Sequence, residues 1–311
     1  MKCLILGGGG FIGSHLTDAL LGAGHELRIL DRPRLAIAAP ASIREGIEWC
    51  EGDFTNEEDL KKVVTGCQIV FHLISTTLPK SSNESPIYDV ETNLAGTLRL
   101  LNIAVTQRIK KVLFISSGGT IYGVPKRIPI PEDHPTNPEV SYGIVKLTIE
   151  KYLKLFKSMH GLDYKVLRVS NPYGERQRVA AKQGAVSVFL SKALRKETIE
   201  IWGDGSVVRD YIYIADVVEA FLRVMDYQGE HEVFNIGSGV GKSLNQIIAD
   251  IEELIGEPVK RRYLPSRSFD VPENILDISL AKDALHWAPK TSFHDGLKRT
   301  LVWVREALSS G

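Results

Sequence analysis

The sequence predicts an α/β chain built on a doubly wound parallel sheet, and three observations predict it. Short apolar runs recur at 3–6, 26–30, 68–73, 112–116 and 165–169, each the length of a strand buried on both faces. Between them lie longer stretches with helical patterning at 11–21, 57–64, 90–106 and 140–157. The alternation is the third observation: strand–helix–strand units joined in series give parallel strands with crossover helices on both faces.

The first strand runs straight into Gly7-Gly8-Gly9-Gly10-Phe11-Ile12-Gly13, so the first helix begins at a glycine turn. Asn56 ahead of Glu57-Glu58 reads as a helix start, a capping side chain followed by acids in the first turn. A third strand is expected just before Gly52-Asp53-Phe54, and the helix after the proline-rich stretch 129–138 carries Tyr142-Gly143-Ile144-Val145-Lys146. Beyond Val169 the character changes. Asn171-Pro172-Tyr173-Gly174 and Gly203-Asp204-Gly205 are loop-forming, and further strand signals stand at 210–214 and 233–236. Residues 1–170 are read as one domain and 171–311 as mainly a smaller C-terminal substrate-binding lobe, with segments near 208–240 returning to the main sheet. Ligand is expected at the carboxyl ends of the strands.

Bulk properties narrow the partners. The chain has 311 residues, enough for a sizeable core, and 38 Lys and Arg balance 38 Asp and Glu. That balance argues against a general nucleic-acid or membrane-surface binder. Cys3, Cys50 and Cys67 have no metal-ligand spacing and suit a reducing, cytoplasmic setting, and no metal site is expected. The apolar start is too brief for a membrane span.

The glycines form a cradle in either register, Gly7-x-x-Gly10-x-x-Gly13 or Gly8-x-Gly10-x-x-Gly13. Missing Cβ atoms allow a tight turn, close approach of a pyrophosphate, and close helix–strand packing. The helix opening at Phe11 and Ile12 then points free N–H groups at the phosphates. Asp31 ends the second strand, where a carboxylate accepts from adenosine ribose hydroxyls and repels a 2′-phosphate, favouring NAD. Arg32 beside it is the residue type that accommodates NADP. Asp53 is a candidate for the adenine amino group or for a turn. The run Gly237-Ser238-Gly239-Val240-Gly241-Lys242-Ser243 imitates a phosphate loop, but Ile236 stands where the first glycine belongs.

Tyr142 and Lys146 sit at i and i+4 on one helix face. A free phenol titrates near roughly 10, and an ammonium beside it stabilises the phenolate and lowers that value. Taken alone, Tyr-x-x-x-Lys is an ordinary solvated helix face.

Together with the glycine turn, Asp31, Gly52-Asp53, His72-Leu73, Asn93, Ser116-Ser117…Tyr122-Gly123 and Arg168-x-x-Asn171-x-Tyr173-Gly174, the pair resembles the extended short-chain dehydrogenase/reductases. The later runs Ile201-Trp202-Gly203-Asp204-Gly205, Arg209-Asp210-Tyr211 and Asn235-Ile236-Gly237-Ser238-Gly239 are similar to the nucleotide-sugar branch, in particular UDP-glucose/galactose 4-epimerases. The resemblance extends to Leu285-His286-Trp287-Ala288-Pro289. It implies a Rossmann fold, NAD as cofactor, a UDP-sugar as substrate, and a homodimer through the helices at 140–157 and 90–106. It also implies roles. Tyr142 is the acid/base and Lys146 holds the cofactor ribose and tunes Tyr142. Phe54 and Leu73 join the cofactor site. Asn171 lies near the sugar and diphosphate, Arg209 and Arg267 clamp the diphosphate, Trp202 and Tyr211 line the uracil pocket, and Asp270 accepts from a ribose hydroxyl. Asn93 is read as a structural hydrogen-bonder.

One slot departs from the pattern. The family carries Ser or Thr four residues before the tyrosine of its Tyr-Gly pair, and here that residue is Gly118. Ser117 or Thr120 is expected to supply the hydroxyl. Relatives that eliminate water carry adjacent Asp and Glu in this loop, and decarboxylating ones carry a Glu, whereas this chain has Gly119 and Thr120. C4 epimerisation through a 4-keto sugar is the reaction expected. Asn274 falls where a side chain closes the sugar pocket, and its modest size leaves room for a 2-acetamido group. Two alternatives stand beside this reading: another nucleotide-sugar epimerase or reductase, and a non-catalytic NAD(P)-sensing regulatory protein on the same fold, a class that commonly lacks the Tyr/Lys pair.

Overall fold

Strand β1 (Lys2–Leu6) is buried through its last four residues and hands the chain to α1 (Phe11–Gly22) across the glycine turn. The computed structural model describes residues 1–32, 46–177, 184–266 and 271–309. Next come β2 (Glu26–Asp31), β3 (Ile47–Glu51), α2 (Glu57–Val64) and β4 (Ile69–His72). Asn56 caps α2 as expected, its side chain accepting from the Glu58 and Asp59 N–H groups. Two short helices, α3 (Pro79–Glu84) and α4 (Pro86–Asp89), lead to a π-helical turn (Val90–Ala95), α5 (Gly96–Thr106), β5 (Lys111–Ser117), α6 (Ser141–His160) and β6 (Asp163–Val169). The remainder is β7 (Asn171–Tyr173), α7 (Ala185–Leu194), β8 (Ile199–Trp202), β9 (Val208–Tyr213), α8 (Ile214–Asp226) and β10 (Val233–Ile236). It closes with β11 (Gly241–Ser243), α9 (Leu244–Ile255), β12 (Arg261–Leu264), β13 (Glu273–Asn274), α10 (Ser279–Leu285) and α11 (Phe293–Ser309).

The chain divides into two compact units, the first made of Met1–Gly123, Pro135–Arg168 and Ala220–Phe234, the second of Val124–His134, Val169–Glu219 and Asn235–Gly311. The first unit is organised on a seven-stranded sheet in the order β10-β6-β5-β4-β1-β2-β3. β1 pairs in parallel with β2 and β4, and β2 with β3 and β4 with β5 likewise. The order reverses beside β1, which puts the ends of β1 and β4 at the switch point where such sheets bind ligands. Sheet residues Leu4, Leu6, Phe114 and Val166 share one apolar core with Leu60, Leu101 and Leu153 from the helices.

Two elements depart from the pattern read in the sequence. The stretch 90–106 breaks into a π turn followed by α5, and the break coincides with a buried polar residue, Asn93, whose amide is held by neighbours. Ile214, expected as a strand end, starts α8, because a short apolar run does not distinguish the two states.

In the second unit β9 is central. It pairs antiparallel with β11 and parallel with β7 and β13, while β8 and β12 form a separate parallel pair. Asp210 on β9 is fully buried and accepts from Ser238 N and Oγ at 2.7 Å each, from Gly239 N at 3.2 Å and from Leu276 N at 3.3 Å. A Cβ on Gly237 would lie 2.3 Å from the Asp210 carboxylate. The glycine run that imitates a phosphate loop therefore wraps a buried aspartate. Ser243 at its end caps α9 in a capping box with Gln246.

Candidate active site

The glycine turn packs too closely on its surroundings to admit side chains. Gly7 has φ +90°, a Cβ on Gly8 would meet Ile29 at 2.8 Å, and one on Gly13 would lie 2.1 Å from Gly7 O. Gly10 caps α1 without any side-chain acceptor, so the helix opens with N–H groups that no cap satisfies. Asp31, nearly buried, accepts the Gly9 N–H at 2.8 Å and the Arg32 N–H at 2.8 Å, which ties the end of β2 to the turn. These residues fit a dinucleotide. Leu73 continues β4, its N–H donating to Leu6 O at 3.1 Å, and Arg32 is exposed. Asp53 accepts from Thr55 N and Oγ1 at 2.8 Å each, which is the turn alternative, and these bonds hold its carboxyl below the usual range. The Phe54 ring belongs to the apolar core, 5.0 Å from the His72 ring, so only its backbone is left for a ligand.

Tyr142 and Lys146 share one face of α6, with Lys146 Nζ 5.7 Å from the phenol ring centroid. Lys146 is buried. Its ammonium donates to Ile115 O at 2.9 Å and stands 4.6 Å over the Phe114 ring. Burial draws its pKa down to about 8, while the negative charges of Asp89 and Glu150 act to hold it up. The Tyr142 phenol is pushed up to about 12, first by burial and then by Asp89, with the Ser75 hydroxyl pulling the other way. In the protein alone Tyr142 therefore rests as a neutral phenol.

The start of α6 is capped from elsewhere in the chain. Val140 precedes it and has no side chain to accept a hydrogen bond. Instead Ser141 N donates to Asn83 Oδ1 at 2.9 Å and Tyr142 N donates to Ser82 Oγ at 3.0 Å, both on α3. Beside them Asp89, 1% exposed, accepts from Ser141 Oγ at 2.8 Å, Thr77 Oγ1 at 2.7 Å and Asn93 Nδ2 at 2.8 Å. His72 lies below, buried between the Phe54 and Phe114 rings. Thr97 donates to Asn93 O, so its oxygen accepts from His72 Nε2 at 2.8 Å. Burial and the Lys146 charge push His72 down to about 3, which keeps it neutral.

The hydroxyls of the loop after β5 are mostly committed. Ser116 Oγ donates to Glu150 at 2.5 Å, Arg168 pairs with the same carboxylate at 2.7 Å, and the Tyr122 hydroxyl accepts from Arg168 Nη1 at 2.9 Å. Thr120 Oγ1 is sealed from solvent without a hydrogen-bond partner, and Ser117 is half-buried.

In the second unit Arg209 and Asn274 lie in register on β9 and β13, with Asn274 buried. Asn171 Nδ2 donates to Asp210 O at 2.9 Å, and Trp202 at the end of β8 is exposed. Tyr211 lines a cavity of about 360 Å³ with Ser238, Lys242 and Phe293. Arg267 and Asp270 lie outside the described residues.

The description "NAD dependent epimerase/dehydratase family" matches residues 3–237. The chain belongs to this family. It is 32% identical over 311 residues to a UDP-glucose 4-epimerase of Mycolicibacterium smegmatis, covering 98% of this chain and 99% of that relative. The crystal structure of a UDP-glucose 4-epimerase from Thermotoga maritima, solved with UDP-glucose, superposes with a TM-score of 0.93 at 38% identity, covering 99% of this chain and 100% of the other. The Thermus thermophilus UDP-glucose 4-epimerase in complex with NAD gives a TM-score of 0.90 at 30% identity, with coverage of 99% and 100%.

For an NAD dependent epimerase/dehydratase family member, the readable parts are the glycine turn, Asp31 and the Tyr142–Lys146 pair, and each stands in the first unit as a local motif. Sequence reading misses Ser75, Asp89 and Ser141. Ser141 directly precedes Tyr142 and Asp89 lies four residues before Asn93, but no spacing rule marks either as part of a site. Among the described residues no cluster of His, Cys, Asp or Glu is arranged to hold a metal ion, and no helix is long and apolar enough to cross a membrane.

Proposed function

We propose that this chain interconverts the C4 epimers of a UDP-sugar, UDP-glucose/galactose and the N-acetylhexosamine forms, through a 4-keto sugar. The observation that carries the reading is the Tyr142–Lys146 pair, with Nζ 5.7 Å from the phenol centroid, in a unit whose glycine turn fits a dinucleotide. NAD, when bound, supplies the acceptor that takes a hydride from C4 and returns it. Tyr142 takes the proton of the sugar 4-hydroxyl and gives it back, and Lys146 stabilises the phenolate in between. A phenol resting at about 12 needs added positive charge to act near neutrality, so proton removal is tied to a loaded cofactor site. The UDP-glucose and NAD bound by the solved relatives support the substrate and cofactor classes.

Arg209 and Arg267 are assigned to the diphosphate, where a guanidinium fork suits phosphate oxygens. Trp202 and Tyr211 take the base, Asp270 a ribose hydroxyl, Asn171 the region between sugar and diphosphate, and Asn274 sets the sugar width. The reading includes a cytoplasmic protein and a homodimer. Apolar side chains exposed on the two helical stretches support the dimer: Val90 at 43% on one, Ile144 at 51% and Leu155 at 45% on the other. The deciding experiment incubates the purified protein with NAD and a panel of UDP-sugars and follows C4 epimers by NMR. Epimer formation without net cofactor consumption is expected. No epimer from any sugar, or stoichiometric loss of NADPH absorbance, would overturn the reading.

A further inference from the structure

We propose that Ser75 is the hydroxyl partner of Tyr142 that the chain lacks at Gly118, delivered by the loop after β4 and held in place by Asp89. The proposal rests on the epimerase reading for its chemistry, though not for its geometry.

Ser75 is exposed and donates to Thr77 O at 3.1 Å, and the Asp89 carboxylate, by accepting from Thr77 and from Ser141, draws the Ser75 loop against the start of α6, where the Ser75 hydroxyl favours the Tyr142 phenolate. Its loop is pinned at each following residue. Thr76 N donates to Asn93 Oδ1 at 2.9 Å, Thr76 and Thr92 share a hydroxyl bond of 2.6 Å, and Thr77 donates to Asp89 at 2.7 Å. The other oxygen of Asp89 holds Ser141, the residue before Tyr142, at 2.8 Å. One buried carboxylate thus fixes both sides of the Ser75–Tyr142 pair. Of the hydroxyls in the β5 loop, Ser116 is committed to Glu150, Tyr122 to Arg168, and Thr120 Oγ1 is sealed from solvent, which leaves the half-buried Ser117 as the competitor.

Ser75 accepts from the phenol before reaction. Once Tyr142 is ionised, Ser75 turns its own proton from Thr77 O to the phenolate. No bond to Ser75 forms or breaks, and the proton taken from the sugar stays on Tyr142, so Ser75 is a positioning residue. The charged groups facing Tyr142 are Lys146 on its own helix and Asp89 on α4. His72 on β4 and Glu150 on α6 face Lys146, whereas Lys80, Glu84 and Glu91 on the adjoining helices are exposed.

The test uses the full chain loaded with NAD. Ser75→Ala should lower kcat by about 10- to 100-fold, the value of a hydrogen bond to a charged group, with KM little changed. The acidic limb of its kcat–pH profile should move to higher pH, and Ser75→Thr should restore most of the rate. Tyrosinate ultraviolet absorbance, assigned to Tyr142 by subtracting Tyr142→Phe, should titrate at higher pH in Ser75→Ala. The proposal falls if Ser75→Ala matches the wild type in both readouts, or if Ser117→Ala carries the loss instead. If no UDP-sugar is turned over yet Ser75→Ala still moves the Tyr142 titration, the epimerase reading fails and the Ser75–Tyr142 pair stands.

Discussion

The glycine turn and the Tyr142 site lie in the same unit but are built by opposite means. The turn is backbone: Gly7, Gly8 and Gly13 leave room for nothing else, and Asp31 fastens the end of β2 to it through main-chain N–H groups. The Tyr142 site is side chain on side chain, with Ser75, Thr77, Ser82, Asp89, Asn93 and Ser141 brought from separate segments onto one helix start. A phosphate cradle therefore tolerates almost no change at its glycines, while a proton-transfer site divides its work among residues of graded importance.

The largest effect should separate chemistry from cofactor binding. Tyr142→Phe should cut kcat by about 10³-fold or more, in the range for loss of an acid/base group, while NAD affinity measured by calorimetry stays within a few-fold. Substantial residual epimerisation would remove Tyr142 from its role.

Gly13→Ala attacks the glycine turn. Its Cβ would sit 2.1 Å from a backbone oxygen that cannot swing aside. The turn must shift, at a cost of about 1–3 kcal/mol in stability together with the loss of tight NAD binding. A variant that binds NAD normally would show that the turn is softer than its contacts.

A more gradual effect is a pH slope. Lys146 is held near about 8 in the fold, against an ordinary value of 10.5. Below pH 8 the ammonium is present in both folded and unfolded chains, and its burial penalty is fully felt. Between 8 and 10.5 the folded chain sheds the proton first, so stability rises with pH, by about 3 kcal/mol in all. The difference in unfolding free energy between wild type and Lys146→Met, from denaturant titrations, should grow by that amount across the window. A flat difference would mean the site is wetter than its contacts indicate.

Legibility follows the same divide. The helix at Glu57–Val64 and the strand at Val233–Ile236 stand where the pattern puts them, because capping and apolar runs are local signals. The π turn at Val90–Ala95 was not legible, since it coincides with hydrogen bonds from Asn93 to a loop distant in sequence. The run Gly237–Ser243, set aside as a phosphate loop because Ile236 stands where the first glycine belongs, wraps the chain's own Asp210 instead.

By itself the sequence determined the sheet, the dinucleotide turn and the tyrosine–lysine pair, since each depends on residues within a few positions of one another and on backbone geometry that glycine or helical spacing dictates. Only the tertiary structure decided which hydroxyl meets Tyr142 and which carboxylate steadies it. Ser75, Asp89 and Ser141 are ordinary polar residues in the sequence, and they become a site when the fold gathers them around the buried Asp89 carboxylate, where water competes least for its hydrogen bonds.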